Sequence, residues 1–402
     1  MHTLSRRAAL LGLTSVVTLG RVSLALASAP TDRRFVVVIL RGALDGMSAV
    51  VPYGDPDLAA LRPALVPPQP GQDKGLLDLG GTFGLHPAMT RAHAMYQANE
   101  LLVVHAVAGN YRVRSHFEAQ DYLESGADHR MTSGWLNRAV AAMPAEAPGE
   151  LNASSSAIAV GASVPLVLRG PHAVANWAPH GFAEPQEALY QQVLALNHAD
   201  PITGPAIAAG MRDRGFGAQV MGSDMTDEPK GGARFAFPAL ASAAGAMLKA
   251  ADGPRIAALE LGGWDTHTAQ NNRLAQPLTQ LDTGLDALRT AMGDAWGKTV
   301  VLVMTEFGRT ARMNGTNGTD HGTATVAFVA GGAVAGGRVV TNWPGLAPGQ
   351  LFENRDLAPT TDLRSVATGL IGPHLALSPS ALTTVFPGGA PVQPLRGLLR
   401  TA

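Results

Sequence analysis

The 402-residue chain contains no cysteine, which excludes disulfides, iron–sulfur clusters, thiolate zinc sites and cysteine nucleophiles together. Lysine is nearly as scarce: Lys74, Lys230, Lys249 and Lys298 are the only four, and none lies in a basic run. Basic and acidic side chains number 30 and 31, and this net charge of −1 offers no footing for nucleic acid. Charged residues make up 15%, too few for a coiled coil, while 46% hydrophobic residues exclude a disordered chain. The length is enough for one large α/β domain or two smaller ones. Any metal site must be assembled from His, Asp, Glu and hydroxyl oxygens.

The first 29 residues read as an address. Arg6 and Arg7 follow Ser5, an apolar run interrupted by Gly12 and Gly20 comes next, and small residues stand at Ala25 and Ala27. The pattern resembles a twin-arginine export signal over residues 1–27. A membrane anchor is the competing reading, but the apolar stretch is shorter than the roughly 20 residues a span needs. Cleavage after Ala27 removes Arg6, Arg7 and Arg21 and no acid, leaving 27 basic against 31 acidic residues. The expected product is periplasmic or secreted, handled by the twin-arginine export machinery, with no stable membrane span after cleavage.

Phe35–Leu40, Leu101–Val107, Arg255–Leu261, Thr299–Met304 and Thr325–Val329 are apolar runs of the kind found in strands buried on both faces. Ala157–Val160 and Pro165–Arg169 are shorter strand candidates. Helices are expected over Pro87–Asn99, over Ser115–Ser125 ending at Gly126, over Ala239–Ala251, and around Asp362–Leu370 before a loop-rich tail. Leu274, Leu278, Leu281, Leu285 and Leu288 recur at helical spacing and define an amphipathic helix. Residues 53–85, rich in Pro and Gly, read as a long surface excursion, and about 170–232 as an insertion. The alternation predicts a mostly parallel central sheet with helices on both faces and inserted loops, a single α/β domain over 28–402.

Parallel α/β sheets bind ligands beyond the carboxyl ends of their strands. Asp45 follows the first strand; Arg112, Arg114, Ser115 and His116 follow the second long one. Asp265 and His267 come after Arg255–Leu261, Glu306 and Arg309 after Thr299–Met304, and Asp320-His321 in the next loop. Asp265 and His267, two apart on an extended turn, point the same way and can share a cation. The structural alternative is that Asp265 caps a helix and His267 packs on it. Ser115 suits a helix N-cap, and equally a nucleophile whose anionic substrate meets the helix N-terminus. His116 reads as a ligand, a general acid or a packed helix residue. Arg309 is placed to pair with an anionic oxygen or to bridge to a carboxylate. His86, ahead of a helix, is a weaker candidate for the same edge.

Taken in order, RGALDG, SHFEAQDYLESG, GGWDTH, TEFGRT and TDHGT resemble the DUF1501 family of exported proteins, from about Phe35 to the VFPG near Pro387. The family is related to the alkaline phosphatase and sulfatase superfamily, which implies an alkaline phosphatase-like fold and ester hydrolysis at one or two divalent ions. The resemblance implies that Asp45, Asp265, His267, Glu306, Asp320 and His321 bind metal, with zinc, calcium or manganese as possible ions. It matches Ser115 to the nucleophile, with His116 and Arg309 beside it, and puts Phe307 where a second-site histidine normally stands. The expected substrate is an anionic ester or polysaccharide-type molecule. A non-catalytic envelope binding or assembly protein with a vestigial site is the second reading. An exported redox enzyme is a third, unsupported by any haem, flavin or Cys motif.

Overall fold

Strand β1 (Arg34–Leu40) is buried at every position, as its unbroken apolar sequence requires, and it lies inside a nine-stranded sheet. The computed structural model describes residues 31–143, 156–179 and 236–401. The expected signal at 1–27 and most of the 170–232 insertion lie outside the described residues. The sheet also contains β5 (Leu101–Ala108), β6 (Ala157–Val160), β7 (Ala175–Trp177), β8 (Ile256–Leu261), β9 (Thr299–Thr305), β10 (Thr325–Ala330), β11 (Arg338–Val340) and β12 (Thr361–Asp362). Its order is β11-β5-β10-β9-β1-β8-β6-β7, with β12 also on β5. Every pairing is parallel except those of β10, which runs antiparallel to both β5 and β9.

That one reversal matters for the site. The carboxyl ends of β1, β5, β8 and β9 share one edge, and the amino end of β10 joins them there. Both ends of the loop 306–324 therefore return to this edge. A strictly parallel sheet would have carried the chain to the opposite side before β10 began.

Helices cover both faces, as the buried strand runs demand. Helices α3 (Thr90–Gln97), α6 (Phe237–Lys249) and α7 (Gln270–Met292) pack on one face. Leu274, Leu278, Leu281, Leu285 and Leu288 are all buried on α7, each burial contributing roughly 1.5–3 kcal/mol. Helices α5 (Trp135–Ala141), α8 (Leu363–His374) and α9 (Pro379–Val385) build the other layer around Trp135, Val366 and Leu370. Helix α4 (His116–Ser125) starts just beyond β5 and ends where Gly126 takes a left-handed conformation.

Three local expectations are corrected. Residues 53–85 are not a surface excursion: β2 (Val50–Val51), β3 (Leu77–Asp78) and β4 (Gly84–Leu85) form a second small sheet. Leu58, Leu61, Leu65, Leu76, Leu79 and Phe83 of this region are buried; its prolines break periodicity without removing the apolar residues. Pro165–Arg169 is no strand, because Leu166–Leu168 closes a 3₁₀ turn. The tail carries the unexpected α9, capped by the Ser378 hydroxyl, which accepts from the Ala381 N–H. Helices α1 (Gly46–Ala49) and α2 (Leu58–Leu61) complete the numbering.

Two buried histidines are held neutral. His105 on β5 donates from Nε2 to the Val50 carbonyl (2.9 Å) and accepts the Ala106 N–H at Nδ1 (2.8 Å). His374 on α8 donates to the Arg34 carbonyl (2.9 Å). Burial pushes each down to about 4, below the roughly 6.5 of an unfolded chain. As pH falls, the unfolded chain takes up protons first, so stability is full above about pH 6.5 and lost towards pH 4. Urea unfolding in chelator is expected to show this decline, and His105→Gln to make its slope shallower.

Candidate metal centre

Six chemistry-bearing side chains meet at the strand edge, delivered by four segments. His116 opens α4, Asp265 and His267 follow β8, Glu306 follows β9, and Asp320-His321 precede β10. Close backbone approach makes this possible. At Gly42, with φ +120°, a Cβ would lie 2.9 Å from the Asp265 nitrogen, so the β1 turn touches the β8 loop directly. At Gly318 a Cβ would fall 2.1 Å from the His267 carbonyl oxygen, so the 306–324 loop can lie against the His267 backbone.

The imidazoles converge through their Nε2 atoms. His116 Nε2 and His267 Nε2 each lie 3.0 Å from His321 Nε2. Asp265 Oδ1 is 3.1 Å from His267 Nε2, 3.6 Å from His321 Nε2 and 3.8 Å from His116 Nε2. Ligands about 2.0–2.1 Å from a tetrahedral ion lie about 3.3–3.4 Å from one another, so these spacings fit a metal-sized gap. Among the described residues, one ligand atom each from His116, Asp265 and His321 lie within 4.8 Å of one another, and His267 flanks that trio.

Each ring is oriented by an acceptor at its other nitrogen. His116 Nδ1 faces Glu306 Oε1 (2.8 Å), His267 Nδ1 faces Asp320 Oδ1 (3.2 Å), and His321 Nδ1 faces the Arg114 carbonyl (3.0 Å). An acceptor at Nδ1 selects the Nδ1–H tautomer and leaves the Nε2 lone pair free. Three lone pairs and a carboxylate oxygen then point at one spot, an arrangement that repels itself unless a cation or proton lies between. The donor set is one that could hold a metal ion.

The sequence-derived roles redistribute accordingly. Glu306 is buried and accepts from His116, the Gly42 N–H (3.0 Å), Gln120 (3.1 Å) and the Thr305 hydroxyl (2.8 Å), so its oxygens are committed to orienting groups. Burial opposes its ionisation, but the His116 bond and the other donors hold it below the usual carboxylate range. Asp320 accepts from Asn314 (3.1 Å) and His267, which lower its pKa, and it too orients a ring. Phe307 packs its ring 4.9 Å from that of His116 and 5.2 Å from that of His321, forming an apolar wall behind both.

Arg309 does not face an incoming anion. Its guanidinium is fully buried and donates to the Gly42 (2.6 Å), Ala43 (2.8 Å), Trp264 (3.3 Å) and Thr319 (3.3 Å) carbonyls and to Asp265 Oδ1 (2.5 Å). Burial opposes ionisation of Asp265, and the bond and charge of Arg309 outweigh it. Asp45 also stands outside the cluster. Its Oδ2 accepts from Arg62 (2.6 Å), Gln270 (2.6 Å) and Ser48 (2.7 Å), in a pair whose side chains are both 1% exposed. A guanidinium already neutralises this carboxylate.

Ser115 is the N-cap residue of α4, yet its hydroxyl makes no capping bond and, among the described residues, no bond to a histidine. Arg112 and Arg114 beside it are engaged elsewhere, Arg112 with the Gly109 and Tyr111 carbonyls. Arg114 pairs with Glu353 (2.5 Å) and with the fully buried Asp356. Asp356 also accepts from Thr323 (2.8 Å) and pairs with Arg355, whose guanidinium holds the His321 carbonyl. It thereby braces both flanks of His321. Nothing in its surroundings in the sequence marks it, whereas Gln120, four residues after His116, was recoverable from helical spacing. His86 lies away from the cluster beside β4, its pKa pushed down to about 4 by burial.

Fold and site together define an α/β protein with an imidazole-rich candidate metal centre at the edge of a mostly parallel sheet. The chain belongs to the family described as protein of unknown function (DUF1501), whose profile matches residues 32–386. It is similar in structure to a protein in the alkaline phosphatase superfamily from Vibrio parahaemolyticus, with 10% identity, a TM-score of 0.32, and 92% of this chain and 76% of that chain covered. Phosphonate monoester hydrolase of Agrobacterium radiobacter gives 11% identity, a TM-score of 0.34, and coverage of 90% and 79%. No curated protein sequence matches the chain. Among the described residues, no helix is long and apolar enough to cross a membrane.

The Asp45–Arg62 pair makes a prediction that a ligand role for Asp45 would not. Asp45→Asn leaves a buried guanidinium uncompensated, and denaturant unfolding is expected to show a loss of about 3–5 kcal/mol. Zinc affinity of the folded variant, measured by calorimetry, is expected to match the parent.

Proposed function

We propose that the chain is an exported hydrolase that cleaves a phosphate or sulfate ester at one divalent ion. In this reading the ligands come from His116, Asp265, His267 and His321, three of them holding the ion and leaving one position for the ester. The observation that carries it is the convergence of three Nε2 lone pairs on Asp265 Oδ1, each ring set by an acceptor at Nδ1. Three imidazoles to one carboxylate favour zinc over calcium or manganese, which prefer oxygen donors. Export rests on the resemblance of residues 1–27 to a twin-arginine signal, and the ester class on the motif resemblance to phosphatases and sulfatases.

A bound cation supplies Lewis acidity at the non-bridging oxygens of the ester. The first N–H groups of α4 add partial positive charge where that anion would approach. Ser115 Oγ, held by no other group among the described residues, attacks phosphorus or sulfur as the bond to the leaving oxygen breaks, and its proton passes to solvent. Water then releases the inorganic anion and restores the hydroxyl. Glu306, Asp320 and the Arg114 carbonyl keep the three rings aimed throughout, and Phe307 keeps water from behind them.

The second reading, an envelope binding or assembly protein, is favoured by one specific pair of observations. Asp45, matched to a metal ligand, is paired with Arg62, and Phe307 stands where a second-site histidine is usual. Among the described residues a single group of side chains that could hold a metal ion is found, so turnover in this reading rests on one ion.

Elemental analysis of exported protein is expected to find one ion per chain, lost in His267→Ala and in His321→Ala. Ser115→Ala is expected to keep the ion and lose turnover of an aryl phosphate or sulfate. Protein with no stoichiometric ion overturns the metal reading; a bound ion without cleavage of any ester favours the binding protein. Glu306→Gln, which weakens the acceptor at His116, is expected to lower zinc affinity about 10–100-fold by calorimetry.

A further inference from the structure

Beside the centre lies a cavity of about 290 Å³, lined among others by Arg41, Phe117, Gln120, Arg130 and Arg169. Ligand pockets typically span about 300–1,000 Å³, so it offers room for one ring and a charged group, not for a long chain. Two of its lining residues are tied to the candidate centre by hydrogen bonds, one directly and one through its chain neighbour. Gln120 lines the cavity and also donates to Glu306, which orients His116. Arg41 lines it too, and its neighbour Gly42 donates its N–H to the same carboxylate.

Two features of this cavity are unexplained by folding. Phe117, on the first turn of α4 next to His116, is 86% exposed, a large apolar face that gains nothing in water. The second concerns charge. Arg41 is neutralised by Glu124 (2.6 Å) and Glu260, and Arg130 by Asp121 (2.6 Å). Arg169 is exposed and donates only from Nε to the Val164 carbonyl (2.8 Å). Among the described residues no carboxylate faces it. The lining holds three arginines and three carboxylates, Asp121, Glu124 and Glu260, and Arg169 is the arginine with no carboxylate partner among the described residues, its remaining N–H groups available to an anion. The floor is rigid: Glu124, buried, also accepts the Val167 N–H (2.8 Å) and ties α4 to the 3₁₀ turn that leads into Arg169.

We propose that this cavity is a subsite for the part of the substrate beyond the ester, a ring that carries a second anionic group. The ring face lies on Phe117 and the second anion pairs with Arg169. This rests on the hydrolase reading and narrows it from any ester to one whose body is itself anionic. A sugar ring and an aromatic ring share the chemistry that Phe117 offers.

The test uses the full chain as Ser115→Ala, loaded with zinc and titrated by calorimetry. One arm compares phenyl phosphate with 4-carboxyphenyl phosphate, and the other glucose 1-phosphate with glucose 1,6-bisphosphate. Inorganic phosphate, which reaches the centre alone, is the reference. The second anion is expected to tighten binding about ten- to a hundredfold in at least one arm. Arg169→Ala is expected to abolish that gain, and Phe117→Ala to weaken ring probes against inorganic phosphate, with zinc content unchanged in both. The arm with the larger gain identifies the ring. If inorganic phosphate binds and Arg169→Ala keeps the gain, or there is none, the subsite is wrong. If the gain depends on Arg169 while no variant or parent turns over an ester, the subsite stands and the hydrolase reading falls. If no probe binds, both fall.

Discussion

The guanidinium of Arg309 joins three loops at one buried junction, and the side chain of Gln270 bridges the same three through Asp45, Thr266 and Thr319. The Arg309 fork takes carbonyls from the β1 turn, from the β8 loop and from the β9–β10 loop, and it fixes the carboxylate of Asp265. Backbone carbonyls left in a buried loop junction are costly unless a donor reaches them. A planar fork with five N–H groups reaches more of them at once than the three N–H groups of a lysine. The buried charge is in turn balanced by Asp265, so the same contact that closes the loops also aims the carboxylate at the histidines.

Around that junction the site is organised in two layers. Inner Nε2 atoms face one another, and outer acceptors decide which nitrogen of each ring carries the proton. The outer layer is unevenly built. Glu306 is buried and saturated by four donors, while Asp320 and the Arg114 carbonyl sit on loops. Those loops are stiffened from further out by Asn314 and by the Asp356 network. The Asp45–Arg62 pair does related work one step away, binding the Thr310 (2.6 Å) and Ala311 (2.8 Å) carbonyls behind Arg309.

Much of this was legible in residue pattern. The strand runs, the α7 leucines and the edge carrying Asp265, His267, Glu306 and His321 were all visible, because burial and periodicity leave marks in the chain. Residues 53–85 misled because proline and glycine hide a core-forming segment that has no regular period. Roles were less legible than locations. Arg309 and Asp45 carry the residue types a phosphate or metal site needs, and a buried ion pair needs the same types. Glu306 and Asp320 read as ligands because one carboxylate can bind a cation or an imidazole N–H, and residue type does not distinguish them.

Residue content and order alone fix chemistry by exclusion and position by topology: no thiol ligand, no excess of basic charge, and a set of imidazoles and carboxylates gathered at the exits of buried strands. Tertiary structure alone decided which atoms meet. The antiparallel β10 returns the His321 loop to the site edge, and Arg62 captures Asp45. His116 moves from an undetermined helix residue to the centre of the cluster because Glu306, 190 positions away, turns its Nε2 inward. Such outcomes depend on long-range partners competing for the same polar atoms, and that competition is settled only when the chain is packed.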